Sequence, residues 1–116
     1  MEMSYIELPV KDPEALRTWY VTRLNLSVIS ESRDHFTLAG PCGAAIEFRR
    51  GKPLENPERV KLAFRVDDLS SSLKRISDGK IQIGPKKTER GRIVAEVKDP
   101  AGHTVELFQV ELVGIR

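Results

Sequence analysis

One cysteine, Cys42, is all the 116-residue chain contains. An internal disulfide is therefore excluded, and a reducing compartment suits the chain. Charge of one sign is also missing. Nineteen basic residues against 17 acidic ones leave a formal net charge of +2, too balanced to mark a nucleic-acid partner. No apolar run approaches the roughly 20 residues of a membrane helix, so no membrane partner is expected. The opening Met1-Glu2-Met3-Ser4-Tyr5 has no basic stretch ahead of an apolar one, and no signal peptide is expected. Gly-rich phosphate loops, CxxC and HExxH spacings are absent. These gaps leave a cytoplasmic globular protein.

What the chain does have is a repeat. Its 40% hydrophobic and 31% charged residues suit one compact domain, or two small halves sharing a core. Asp99-Pro100-Ala101-Gly102-His103 reads as a turn feeding the strand Thr104-Val105-Glu106-Leu107-Phe108. Pro41-Cys42-Gly43-Ala44-Ala45-Ile46-Glu47-Phe48 presents the same order earlier, with Glu47 standing where Glu106 stands. Upstream, Leu62, Phe64 and Val66 lie 56 residues after Ile6, Leu8 and Val10, and Asp68 lies 56 after Asp12. By the glutamates the offset has grown to 59, so three residues have been added within the second copy.

Each copy reads as strand, helix, then three strands. Ser4 to Val10 alternates as a strand, with Pro9 fitting an edge because it has no N–H to donate. Asp12 caps a helix with Pro13 at its first position, and Leu16, Trp19, Tyr20 and Leu24 form its apolar stripe. Leu26 to Glu31, His35 to Ala39 and Ala44 to Arg49 complete the first half. The charged, proline-bearing stretch of residues 51–58 is a linker between a module at about 1–50 and one at about 59–116. Val60 to Val66 opens the second module. Leu69, Leu73 and Ile76 stripe its helix, which Asp78-Gly79 stops. Lys80 to Ile83 is a short strand, Gly84 to Gly91 a polar loop or hairpin, and Arg92 to Lys98 another strand. The fold class is α+β, two tandem βαβββ modules whose curled mixed sheets surround a cleft.

If helices cover one face of each sheet, Ile6, Leu8, Val10, Leu62, Phe64 and Val66 belong to the core. The opposite faces carry Tyr5, Glu7, Lys61, Ala63 and Arg65 from the opening strands. The closing strands add Ala45, Glu47, Arg49, Thr104, Glu106 and Phe108. A face mixing carboxylates, a lysine, Phe and Ala is a poor core and a plausible pocket. Its ligand-binding candidates are Tyr5, Glu7, Glu47, Lys61, Arg65, Glu106 and Phe108. The competing reading makes Glu47 and Glu106 solvent-facing carboxylates bridged to Arg49 or Arg65. His103 lies an odd number of positions from Glu106 and points to the other side of its strand. His35 and His103 have no role unless the fold places them in the cleft, and Cys42, in a turn beside Gly with no His within a few residues, is not expected to act as a nucleophile.

The Val10-Lys11-Asp12 and Val66-Asp67-Asp68 junctions, the Trp19-Tyr20 pair and the Asp99-Pro100-Ala101-Gly102 turn leading to Glu106 together resemble the vicinal oxygen chelate superfamily. That superfamily includes glyoxalase I, bleomycin-resistance proteins and extradiol dioxygenases, and the resemblance spans nearly the whole chain. It implies paired modules, a homodimer and a small-molecule ligand. It also implies four metal-ligand positions, one on each opening and closing strand: Tyr5, Glu47, Lys61 and Glu106. The two glutamates match as metal ligands. The opening-strand positions hold Tyr and Lys, and a protonated lysine has no lone pair to offer. The resulting expectation is a binding protein without a resident metal or other cofactor. In it, Lys61 neutralises Glu47 and Glu106 with Tyr5 donating a hydrogen bond. The alternatives are a lyase, isomerase or dioxygenase that recruits a divalent metal, and a non-catalytic interaction module.

Overall fold

The computed structural model describes residues 1–40, 44–76, 81–88 and 91–110. The chain divides into two compact units, Met1–Glu55 and Asn56–Arg116. In the first, β1 (Ile6–Val10) leads through α1 (Pro13–Arg23) to β2 (Ser27–Glu31), β3 (His35–Ala39) and β4 (Ala45–Arg50). In the second, a 3-10 turn at Pro57–Arg59 precedes β5 (Lys61–Arg65). There follow α2 (Leu69–Arg75), β6 (Ile81–Lys87), β7 (Arg92–Lys98) and β8 (Thr104–Val110). Both units are βαβββ modules with four-stranded mixed sheets, ordered β1-β4-β3-β2 and β5-β8-β7-β6. The class is α+β. Among the described residues no helix is long and apolar enough to cross a membrane.

The two registers coincide. Parallel pairing sets Ile6 beside Ile46 and Glu7 beside Glu47 in the first module. In the second it sets Leu62 beside Val105 and Ala63 beside Glu106, which are the same positions under offsets of 56 and 59. Antiparallel pairing places Thr37 opposite Glu47 and Glu96 opposite Glu106. The offset from Thr37 to Glu96 is already 59, so the three additional residues fall between Val66 and β7.

Helix caps and stripes form where the residue types dictate. Asp12 accepts the N–H of Ala15 at 3.2 Å, and Asp68 that of Ser71 at 3.4 Å, each satisfying an otherwise orphaned first-turn donor. Leu16 and Tyr20 of α1 are buried on the first sheet. There Tyr20 stacks on Phe48 with ring centroids 5.3 Å apart, and Phe48 stacks on Phe36 at 5.0 Å. Trp19 packs edge-on against Tyr20. In the second module Leu69, Leu73 and Ile76 are buried with Ala95, Val97, Val105 and Leu107.

One expectation changes and another is narrowed. Ile6 is 51% exposed instead of buried: it is the first residue of β1, and burial on that face begins at Leu8 and continues to Val10. Pro9 does sit on an edge strand. Of the loop or hairpin expected from Gly84, the hairpin is what forms, with strand running as far as Lys87 and pairing antiparallel with β7. β6 is an edge strand whose register slips between Ile81 and Ile83 and again before Lys86, so it accommodates Gly84-Pro85 without breaking a central ladder. β2 carries a similar slip between Val28 and Ser30. The Cys42 turn and the Asp78-Gly79 helix stop lie outside the described residues.

The Asp99 turn is a closed hydrogen-bonded unit. Asp99 Oδ1 accepts the backbone N–H groups of Ala101 and His103, both at 2.9 Å, and Oδ2 lies 2.8 Å from His103 Nδ1. Both side chains are buried, so His103 does point away from the Glu106 face. Gly102 has φ +91° and sits where a Cβ would come 3.2 Å from Pro57 Cγ, so only glycine fits against the 3-10 turn. Thr104 extends the clasp by donating Oγ1 to the Glu58 carbonyl at 2.8 Å. Asp99→Ala strands two backbone donors and the imidazole in a buried turn. It is expected to cost about 2–4 kcal/mol of unfolding free energy, measured by chemical denaturation.

Candidate functional site

Strand alternation gives each sheet one face under its helix and one face without it. On the outer face of the first sheet, parallel pairing puts Glu7 directly beside Glu47. Two carboxylates so placed repel one another unless a cation intervenes. Arg49, two residues further along β4 and therefore on the same face, supplies it. Its Nε lies 3.0 Å from Glu47 Oε2 and 3.4 Å from Glu7 Oε1. Thr37 Oγ1 donates to Glu47 at 3.4 Å from the neighbouring strand. Glu47 is only 7% exposed, unusual for an ionised group and tolerable here because it is paired.

The second module builds the same triad from different strands. Glu96 and Glu106 stand directly opposite across β7 and β8. Lys61 Nζ reaches over from β5 to lie 3.0 Å from Glu96 and 3.7 Å from Glu106. Beyond this triad, Arg65 is in register with Phe108, and the Arg92 guanidinium lies 4.3 Å from the centre of the Phe108 ring.

The candidates from the sequence thus fall into two groups, Glu7 with Glu47 and Lys61 with Glu106, Arg65 and Phe108. Tyr5 precedes β1 and is half exposed. Lys61 was expected between Glu47 and Glu106, but the acids it bridges are Glu96 and Glu106, while Glu47 is held by Arg49. Glu96, Thr37 and His35 were not recognised. They belong to β3 and β7, whose outward positions follow from counting back across the hairpin to the glutamate strand. His35 sits in register with Arg49, its ring between the Ser30 and Ser32 hydroxyls at 3.2 and 2.7 Å.

Neighbouring charges favour the ionised forms of Glu47 and Lys61. Burial pushes the Glu47 carboxyl up. The Arg49 hydrogen bond, the Glu7 contact and the positive charge of Arg49 outweigh it, so the group is held below its ordinary value. Lys61 is shifted up by its Glu96 hydrogen bond against the opposing effect of burial, with the charges of Glu96 and Glu106 adding to the rise. Lys61 therefore stays an ammonium, a donor with no lone pair for a metal. Among the described residues, no three His, Cys, Asp or Glu side chains gather to hold an ion. At the four positions that the resemblance implies for metal ligands, the chain presents a half-exposed tyrosine, an ammonium and two carboxylates already paired to cations.

The low position of Glu47 has a consequence for stability. A carboxyl depressed by folding stabilises the protein fully above its unfolded value, near 4.5, and that contribution disappears as pH falls through the lower folded value. Unfolding free energy measured across the acid limb should fall more steeply with acidification in the wild type than in Arg49→Gln. A variant with an unchanged acid limb would show that Arg49 does not set the Glu47 charge.

This geometry has relatives. A family model described as Glyoxalase/Bleomycin resistance protein/Dioxygenase superfamily matches residues 2–107. Among solved structures, the chain is similar to a glyoxalase/bleomycin resistance protein/dioxygenase family enzyme from Burkholderia phytofirmans PsJN. That likeness has a TM-score of 0.77 at 17% identity, covering 95% of this chain and 99% of the other. TnmS3, an antibiotic binding protein from Streptomyces sp. CB03234, is similar with a TM-score of 0.78 at 21% identity, covering 96% and 97%. A Nocardioides glyoxalase/bleomycin resistance protein/dioxygenase gives a TM-score of 0.73 at 18% identity, covering 98% and 86%. No curated protein matches by sequence. At these identities the structures speak for the fold, and the family model speaks for descent. The chain belongs to the glyoxalase/bleomycin resistance protein/dioxygenase superfamily.

Proposed function

We propose that this protein binds a small organic molecule against its glutamate-bearing sheet faces, without a resident divalent metal, as a cytoplasmic homodimer. One observation carries the reading: in each module a pair of like-charged carboxylates is neutralised by a cation of the chain itself, Arg49 or Lys61. In a metal-using site that neutralising charge is the ion's, and the ion also acts as Lewis acid. An ammonium or guanidinium supplies the charge and hydrogen-bond donors but no coordination site. Such faces orient a polar ligand through fixed donors and acceptors, while Ala63 and Phe108 offer it apolar contact. TnmS3, an antibiotic binding protein by its title, is a similar fold with a binding role. That likeness supports binding without naming the ligand.

Three experiments test the proposal. A thermal-shift screen of small polar organics against purified protein should yield ligands that raise the melting temperature, since a molecule binding only the folded form stabilises it. Glu106→Gln should weaken those hits. Purified protein carrying one tightly bound Mn, Fe, Ni or Zn per chain would overturn the metal-free part. Lys61→His should convert the second triad into a His and two carboxylates. Its affinity for a divalent metal is expected to exceed that of the wild type by at least about tenfold, read by titration calorimetry. No gain would mean that the three side chains do not converge in solution.

A further inference from the structure

The outer face of the second module carries more positive charge than its triad uses. Among the described residues, Lys61, Arg65, Arg92 and Lys98 share it with two acids, Glu96 and Glu106, and both acids are engaged by Lys61. Lys98 donates to Thr104 Oγ1 at 3.0 Å. Arg65 and Arg92 have no carboxylate partner among the described residues. Both lie beside Phe108, Arg65 in register with it across β5 and β8, and Arg92 with its guanidinium 4.3 Å from the ring centre. Val94, directly opposite Phe108, is an apolar neighbour on the same face, nearly all of it already buried. The first module has nothing equivalent. The position matching Phe108 is Arg49, committed to Glu47 and Glu7, and the position matching Arg65 is Pro9.

We infer that this face takes a flat organic anion, an aryl carboxylate in chemical class, with its ring against Phe108 and its carboxylate on Arg65 and Arg92. A guanidinium is a planar fork matched to a carboxylate, and it keeps its charge at any physiological pH. Guanidinium groups beside an aromatic ring are also placed to stack on a ligand ring. The positions are fixed by strand register rather than by loops, so the two forks and the ring between them are preorganised. This assignment rests on the small-molecule reading above and narrows it to one charge class.

The test compares three probes sharing one ring: 2-naphthoate, 2-naphthylmethanol and 2-naphthylmethylamine. Each is titrated into the full-length protein by calorimetry at moderate salt. Naphthoate is expected to bind at least about tenfold more tightly than the alcohol or the amine. Arg65→Gln and Arg92→Gln should each weaken it by at least about fivefold. Arg75→Gln, on the helix covering the opposite face of the same sheet, should leave it unchanged. Equal binding of alcohol and naphthoate, or naphthoate binding untouched by both arginine variants, overturns the anion assignment. In that case ligands from the thermal screen that respond to Glu106→Gln but not to Arg65→Gln would leave the binding reading standing. Failure of every naphthyl probe and of every screened compound would remove both.

Discussion

Parallel pairing of the first strand to the last is the constraint on which each module depends. It sets β1 beside β4 and β5 beside β8 in one register, so a residue on the outer face of the opening strand always shares that face with the same closing-strand positions. Glutamate at the centre of the closing strand then meets whatever the opening strand presents. In the first module that is a second acid, Glu7, and in the second it is Ala63, with Glu96 supplying the second acid from the other side. Both arrangements need a cation to be tolerable. Arg49 provides it from the closing strand itself, and Lys61 from the opening strand. Two halves with one ancestral register have reached one charge pattern by different substitutions.

The repeat, the two helices and their caps, the edge position of Pro9 and the sidedness of Glu47, Glu106 and His103 were legible because each depends on local chemistry or on period-two alternation. The partners of the acids were only half legible. Arg49 follows from alternation along one strand, and its bridge to Glu47 belonged to the competing reading of solvent-facing carboxylates rather than to the pocket. Glu96 required the register of the β7–β8 pair, which the turn at Asp99 fixes. Ile6 failed for another reason. Alternation puts it with Leu8 and Val10, which are buried, but Ile6 is the first residue of β1, and period-two counting does not say where along a strand the cover begins. The extent of β6 was hidden because glycine and proline ordinarily mark a loop, and only an edge strand with slipped register admits them inside a ladder.

Charge distribution separates the two faces more than their shared ancestry does. The first outer face holds Glu7 and Glu47 against a single committed arginine, with His35 held between serine hydroxyls. Among the described residues, the second holds four cations against two acids and places an aromatic ring among them. A fold copied from one half thus presents unlike chemistry from its two sheets, and ligand preference follows from that difference rather than from the retained glutamates.

The slips in β2 and β6 bear on how the protein behaves when crowded. Both strands end their sheets, where an unbroken row of N–H and C=O groups would invite a foreign strand to continue the ladder. Each interrupts that row: β2 between Val28 and Ser30, and β6 on either side of Ile83, the latter also carrying Pro85, which has no N–H. An incoming strand would find its bonding rhythm broken within two or three residues. The outermost strand of each hairpin is thereby a poor seed for cross-β growth, and at high concentration the chain is guarded there against fibrous assembly.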